Sequence, residues 1–431
     1  MRVLKNKEMH FNYLNIKKLF GLYDYKIAFF DEEKLTILTG PNGYGKTTIL
    51  TLLDSLSPES LYYFYQLKFE MIEIGLSDET RILVEQRFTE ENDDRQGGGD
   101  IRQALVKEVR FSWLDKDEKE LCYFLYNDKL IRKARREVSY RSRSWLFDLN
   151  ESPKEETRKK SFNEVIAHNL GQDIFLMQLE ALRTKFIHAN RIYNEAKEEN
   201  DSLPIQRIRK KLQKELYDAY QYYLQQSQRI DSQFINRVIL KQKSEVSEKE
   251  YRYLASEVEK KRDLLFYFRL TDYIEIPTYD KDNSFILYNY VKGLGEKYDK
   301  YDGWTEKLTL FDKLLKAKKF ARKNIIFSPQ HGFQIYSSTG DIIDESLLSS
   351  GEQNEIILLF QLIFEVSDHS ILLIDEPENS LHVVWQQTFL EDIMEIAKIK
   401  NLQVIVSTHS ISIVSKGSDK AIDLYYLQQH Q

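Results

Sequence analysis

The chain has 431 residues, 42% hydrophobic and 30% charged, and its 62 Lys and Arg against 68 Asp and Glu leave a net charge of −6. That length exceeds one ordinary domain, the apolar content excludes general disorder, and the near-balanced charge excludes a wholesale nucleic-acid coat. The longest apolar run, Leu121–Tyr126, is six residues, against the roughly 20 that cross a bilayer. A sole cysteine, Cys122, and no apolar leader around Lys5, Lys7 and Glu8 predict a soluble cytoplasmic protein without intrachain disulfides.

Leu35–Thr39 is a short β-type run that stops at the turn cluster Gly40-Pro41-Asn42-Gly43, and Thr47–Leu56 then reads as a helix. Two hairpins follow, Leu67–Ile74 with Thr80–Phe88 and Leu105–Leu114 with Glu120–Tyr126, each alternating apolar and polar residues around a polar turn. Glu90–Gly99, acidic and glycine-rich, reads as a loop. Lys129–Arg143 carries seven basic residues against the single acid Glu137. Such a run suits a solvated face or a phosphate backbone equally, with Tyr140 and Trp145 nearby favouring a binding surface slightly. An acidic protein is a further candidate target.

From about 170 to 320 the pattern is helical. Ile205, Ile208, Leu212, Leu216, Ala219 and Tyr223 recur at spacings of three or four, and Ser247-Glu248-Lys249-Glu250 reads as a capping box. A helix from 205 to about 243 would be ~58 Å long, and its apolar stripe needs a partner, in a bundle or in an antiparallel arm. Beyond 324 strands and helices alternate: Asn324–Phe327 and Phe333–Tyr336 as strands, Glu352–Val366 as a helix, Ser370–Ile374 as a buried strand, Val383–Ile396 as a helix and Leu402–Ser407 as another buried strand. That alternation predicts a parallel sheet covered by helices.

The residues Gly40, Pro41, Asn42, Gly43, Tyr44, Gly45, Lys46 and Thr47 fit the phosphate-loop pattern G-x-x-x-x-G-K-[ST], with Thr48 next in line. The glycines free backbone N–H groups to wrap phosphates, Lys46 supplies the charge, and Thr47 offers a hydroxyl to Mg2+. A strand leads in and a helix leads out, as the motif requires, and a helix N-terminus favours the same anion. Ile371–Ile374 is an apolar strand ending in Asp375 and Glu376. Carboxylates at the end of a buried parallel strand stand where such folds place ligands. Asp375 is the expected Mg2+ holder and Glu376 the expected water-polarising base.

Leu348-Ser349-Ser350-Gly351-Glu352-Gln353 alone is only a helix start. Together with the two motifs above it resembles the ABC-ATPase signature, while Glu378-Asn379-Ser380-Leu381-His382 resembles the D-loop and His409 the switch histidine, all in ABC order. The set is most similar to the ABC-type AAA-family ATPases of bacterial anti-phage defence, kin of the SMC, Rad50 and RecF heads, and especially to the PARIS-system ATPase subunits (AriA). The second signature glycine is replaced by Ser350. A Q-loop glutamine has two candidates, Gln66 and Gln86, and an adenine-stacking ring two, Phe20 and Tyr23.

The resemblance implies an α/β fold, an ABC-ATPase head of mixed and parallel sheet with an antiparallel β subdomain and a helical or coiled-coil insertion. Residues 1–190 form one lobe, 191–322 the insertion and 323–431 the second lobe. It implies ATP and Mg2+ as ligands and a head-to-head dimer in which Ser350, Gly351 and Glu352 act on the partner's nucleotide. Only 22 residues follow His409, too few for the nuclease domain of OLD-type proteins. A separate effector, a toxic nuclease, is therefore expected, with a phage-encoded acidic trigger or nucleic acid at Lys129–Arg143. Direct action on DNA in repair or chromosome maintenance is the alternative; a transporter subunit fits worst, because the insertion interrupts the head.

Overall fold

The protein is described by a computed structural model covering residues 9–30, 32–92, 103–127, 130–131, 174–188, 203–240, 245–318, 320, 323–381 and 383–430. Contacts divide it into two units, residues 1–189 with 366–431, and residues 190–365.

The first unit opens with β1 (Phe11–Leu19), β2 (Tyr23–Ala28), β3 (Leu35–Thr39), α1 (Lys46–Asp54) and α2 (Tyr62–Gln66). β4 (Met71–Leu76), β5 (Arg81–Asn92), β6 (Gln103–Leu114), β7 (Glu120–Asn127), α3 (Ile174–Leu179) and β8 (Thr184–Ile187) follow. The second unit holds α4 (Pro204–Leu240), α5 (Glu248–Tyr267), α6 (Ser284–Tyr298), α7 (Asp302–Ala317), β9 (Lys323–Ser328), β10 (Gly332–Ser337), β11 (Ile342–Ile343) and α8 (Ser350–Phe360). The chain then re-enters the first unit as β12 (Ile371–Asp375), α9 (Val383–Lys400), β13 (Gln403–Ser407), α10 (Ile411–Lys416), β14 (Ala421–Asp423) and α11 (Leu424–Gln429).

Two sheets make the first unit. One is antiparallel, in the order β2-β1-β4-β5-β6-β7. Its strands alternate, so that Leu14, Ile16, Ile72, Ile74, Ile82, Val84, Val109 and Phe111 bury one face. The other is parallel throughout, in the order β14-β3-β13-β12-β8. β12 (ILLID) and β13 (QVIVS) are buried at every position, as strands covered on both faces must be. Ile49, Leu50, Leu52 and Leu53 of α1 join the same core as both sheets. The mixed α/β class and the helical insertion are those expected from the sequence. The predicted hairpins are β4–β5 and β6–β7, joined into one sheet by β5–β6 pairing.

In the second unit α4 starts with Pro204 in its first turn, where the missing N–H costs nothing. Ser247 caps α5 by accepting from Glu250 N at 3.3 Å. α4 packs against α6 through Arg237–Glu296 at 2.7 Å and Lys297–Asp231 at 2.6 Å, and against the 3-10 turn after α6 through the stacked rings of Tyr223 and Tyr301. The apolar stripe thus finds its partners in a helical bundle. Segment 323–365, assigned from sequence to the C-terminal lobe, packs with this bundle. Phe311 of α7 touches Phe327 of β9 and Phe360 of α8, with centroids 5.5 and 6.4 Å away. Aromatic residues beyond 323 therefore complete the bundle's core, which moves the boundary to about 365. α8 ends in a π-helical turn, Gln361–Glu365.

Candidate functional site

All five strands of the parallel sheet end on one edge, and β3, β13 and β12 are neighbours there, with Asp375 opposite Ser407 and Ser407 opposite Leu38. The loop after β3 therefore meets the carboxylates after β12. Gly43 (φ 88°) and Gly45 (φ 84°) hold left-handed backbone, where a side chain is strained. A Cβ on Gly43 would meet nothing within 4 Å, so the loop leaves an open cradle for an anion at the N-terminus of α1. Lys46 is buried and its Nζ donates to Gly40 O (2.9 Å) and Pro41 O (3.2 Å). Burial pulls its pKa down, against the pull of Glu376, Asp375, Glu378 and Asp423.

Thr47 and Asp375 come together across 328 residues of sequence: Thr47 Oγ1 donates to the Asp375 oxygens at 3.1 and 3.0 Å. Ser407 Oγ donates to the same carboxylate. A hydroxyl beside a carboxylate, all hard oxygen donors, fits Mg2+. Glu376 follows in a left-handed conformation (φ 43°, ψ 59°), with Asn379 Nδ2 donating to its Oε2 at 2.6 Å and His409 Nε2 standing 3.7 Å from its Oε1. A cleft of about 270 Å³ opens there, lined by Thr39, Gly40, Thr408, His409 and Ile411.

Aromatic rings back the loop. Tyr25 OH donates to Tyr44 O at 2.7 Å, and burial raises the Tyr25 pKa. Tyr44 lies between Tyr23 (5.4 Å) and Tyr425 (5.5 Å). Phe20 comes within 3.6 Å of where a Gly45 Cβ would be. Both sequence candidates for a stacking ring are thus beside the loop, and Tyr425, which no sequence signal marked, joins them. Pro41 and Asn42 are exposed. Thr48 is half-buried, with Tyr63 beside its hydroxyl. Gln86 Nε2 donates to Phe64 O and Leu67 O at 3.0 and 2.6 Å, which ties it to the end of α2, and Gln66 is exposed.

Ser350 and Gly351 belong to the second unit, at the N-terminus of α8, with Ser350 exposed. Glu352, expected to face a nucleotide, is instead buried in a capping box. Ser349 N and Oγ both donate to Glu352 Oε2 at 2.9 Å, and Lys323 Nζ donates to Oε1 at 2.6 Å. Burial pushes its carboxyl up, but Lys323 and Ser349 outweigh that and leave the pKa below the ordinary value. Apart from residues 130 and 131, the basic segment Lys129–Arg143 lies outside the described residues, as does His382.

Among known proteins, an uncharacterized ABC transporter ATP-binding protein of Methanocaldococcus jannaschii is 38% identical over 77 residues, 18% of this chain and 29% of that protein. The oligopeptide transport ATP-binding protein OppD of Lactococcus lactis subsp. cremoris is 31% identical over 78 residues, 18% of this chain and 22% of that protein. The chain thus spans less than a third of the length of these relatives. Among solved structures, the Smc head domain of Pyrococcus furiosus with an extended coiled coil, bound to the C-terminal domain of ScpA, overlaps 94% of this chain and 91% of its own at 13% identity and a TM-score of 0.35. The SMC head domain of Thermotoga maritima overlaps the same shares at 12% and 0.32. Overlap that loose fixes neither function nor partner. No described helix is long and apolar enough to cross a membrane. The AAA ATPase domain family matches residues 9–414, nearly the whole chain, and the protein belongs to that family.

Proposed function

We propose that the protein binds ATP with Mg2+ at Gly40–Thr47 and hydrolyses it. The pairing of Thr47 with Asp375 at 3.0–3.1 Å, with Glu376 the next residue, carries this reading. Lys46 exchanges its present acceptors, the Gly40 and Pro41 carbonyls, for β- and γ-phosphate oxygens. Thr47 and Asp375 hold Mg2+, which when bound neutralises charge on those oxygens. Glu376 orients the attacking water and takes its proton. His409, at the rim of the cleft, donates to the γ-phosphate. Ser350 and Gly351 cover the nucleotide of a second copy in a head-to-head dimer. The resemblance of the motif set to defence-system ATPases points further to a cytoplasmic role in anti-phage defence, in which this ATPase restrains and releases a separate toxic nuclease in response to a phage trigger.

Glu376→Gln tests the chemistry. The amide keeps the shape and loses the base, so ATP should bind, turnover should cease and a stable dimer should accumulate. Wild-type hydrolysis in this variant would remove the assignment. Defence predicts co-purification with a neighbouring gene product and little response to DNA alone. Strong stimulation by DNA without any phage component would favour direct action on DNA instead.

A further inference from the structure

We infer that Glu378 is a positioning residue of the hydrolytic site: its carboxylate latches the loop after β13 and thereby holds His409 beside Glu376. This rests on the ATPase reading above. Glu378 lies in the short 3-10 turn Pro377–Ser380 that follows β12. Its Oε1 accepts from His409 N at 2.5 Å and Ser410 N at 3.1 Å, and its Oε2 accepts from Thr408 Oγ1 at 2.8 Å. One side chain therefore binds three consecutive residues some 30 positions away. β-Ladder pairing of β13 stops at Ser407, so the amides of 409 and 410 need another acceptor. A carboxylate offers the charge-assisted kind, roughly twice as strong as a neutral one.

Further bonds brace the latch. Gln386 Nε2 donates to Glu378 O (3.4 Å) and Leu381 O (3.2 Å), and Ser410 Oγ donates to Gln386 Oε1 at 2.9 Å. On the catalytic side, Glu376 N donates to Ser407 O at 2.9 Å and Asn379 Nδ2 to Glu376 Oε2 at 2.6 Å. Glu376 is thus pinned in its left-handed conformation (φ 43°), a geometry that persists only where neighbours enforce it. His409 has an exposed ring, and its backbone N–H to Glu378 is the bond that fixes where that ring starts. Without Glu378 the loop can move, and a misplacement of about 1 Å is enough to cost on the order of 100-fold in rate.

The test compares wild type, Glu378→Ala, His409→Ala and the double variant for ATP hydrolysis, together with amide hydrogen exchange of 408–410 in the nucleotide-free protein. Glu378→Ala should lower kcat at least tenfold with KM within about threefold, because the side chains of Lys46, Thr47 and Asp375 keep their places. Its amides at 409 and 410 should exchange faster. The double variant should be no slower than His409→Ala alone. Should Glu378→Ala fail to fold, Glu378→Gln carries the same comparison, since its amide keeps one acceptor and loses the charge. Wild-type kcat, unchanged exchange, or equal losses with and without His409 would each overturn the positioning role. Hydrolysis that persists in Glu376→Gln sinks the ATPase reading itself; hydrolysis lost there but untouched in Glu378→Ala sinks only this inference.

Discussion

Glu355→Gln should unfold the second unit far more easily than an ordinary surface change. Lys318 Nζ lies 2.9 Å from Glu355 Oε1, and both side chains are only 3% exposed. At an effective dielectric near 20 such a pair attracts by about 6 kcal/mol, most of it offset by the cost of taking both charges out of water. The amide keeps the volume but removes the charge that Glu355 sets against a buried ammonium, and that asymmetry costs about 3–5 kcal/mol. For a unit of this size the loss corresponds to roughly 6–20 °C of melting temperature. Replacing both partners, as Lys318→Met with Glu355→Leu, should be neutral or stabilising, because neither charge is then stranded. Hydrogen exchange of α7 and α8 against denaturant reads this unit alone, and ATP binding by Lys46, in the other unit, should survive at low temperature. A single variant that loses less than about 1 kcal/mol, or a double variant as weak as the single, would refute the reasoning.

Lys46→Ala should abolish nucleotide binding by calorimetry, because the loop loses the buried ammonium that bonds its Gly40 and Pro41 carbonyls. Gly75→Ala should destabilise the antiparallel sheet by about 1–3 kcal/mol in denaturant titration, because the new Cβ would fall 2.1 Å from the Tyr13 ring on the paired strand. Ser350→Arg should block hydrolysis while ATP still binds. Mixed with Lys46→Ala under subunit exchange it should regain partial activity, since one site of the mixed dimer is intact; a mixture that stays dead would count against action in trans.

What the sequence revealed follows how local each signal is. β3, β12 and β13 were readable because strands covered on both faces are apolar at successive positions, and the phosphate loop because its glycines and Lys46 fall within eight residues. β8 was lost inside a stretch read as helical: it has four residues, and only Ile187 is fully buried. β14, three residues long, left no periodicity at all. The hairpin β1–β2 carries only the weak alternation of a half-buried strand pair. Glu352 reads two ways from sequence, because a capping box and a nucleotide contact ask for the same residue types at the same helix start, and the structure shows the capping box. Glu378 was read only as part of a D-loop, since the amides it binds are about 30 residues further on and nothing in the sequence pairs them.

The topology explains why the proposed site can draw on so many distant residues. Parallel strands share one C-terminal edge, so each strand added to the sheet delivers its next residues to the same place. β3 contributes the phosphate loop, β12 contributes Asp375 and Glu376, and β13, between them, contributes Ser407 to Asp375 and His409 to Glu376. β8 extends the series, with Ile187 opposite Ile374. The chain therefore leaves the first unit one strand away from Asp375, at the edge where the nucleotide is proposed to bind, and returns to β12 only after the whole second unit. A change in the length or pairing of β12 would displace Glu376, the Glu378 latch and the exit of β8 together.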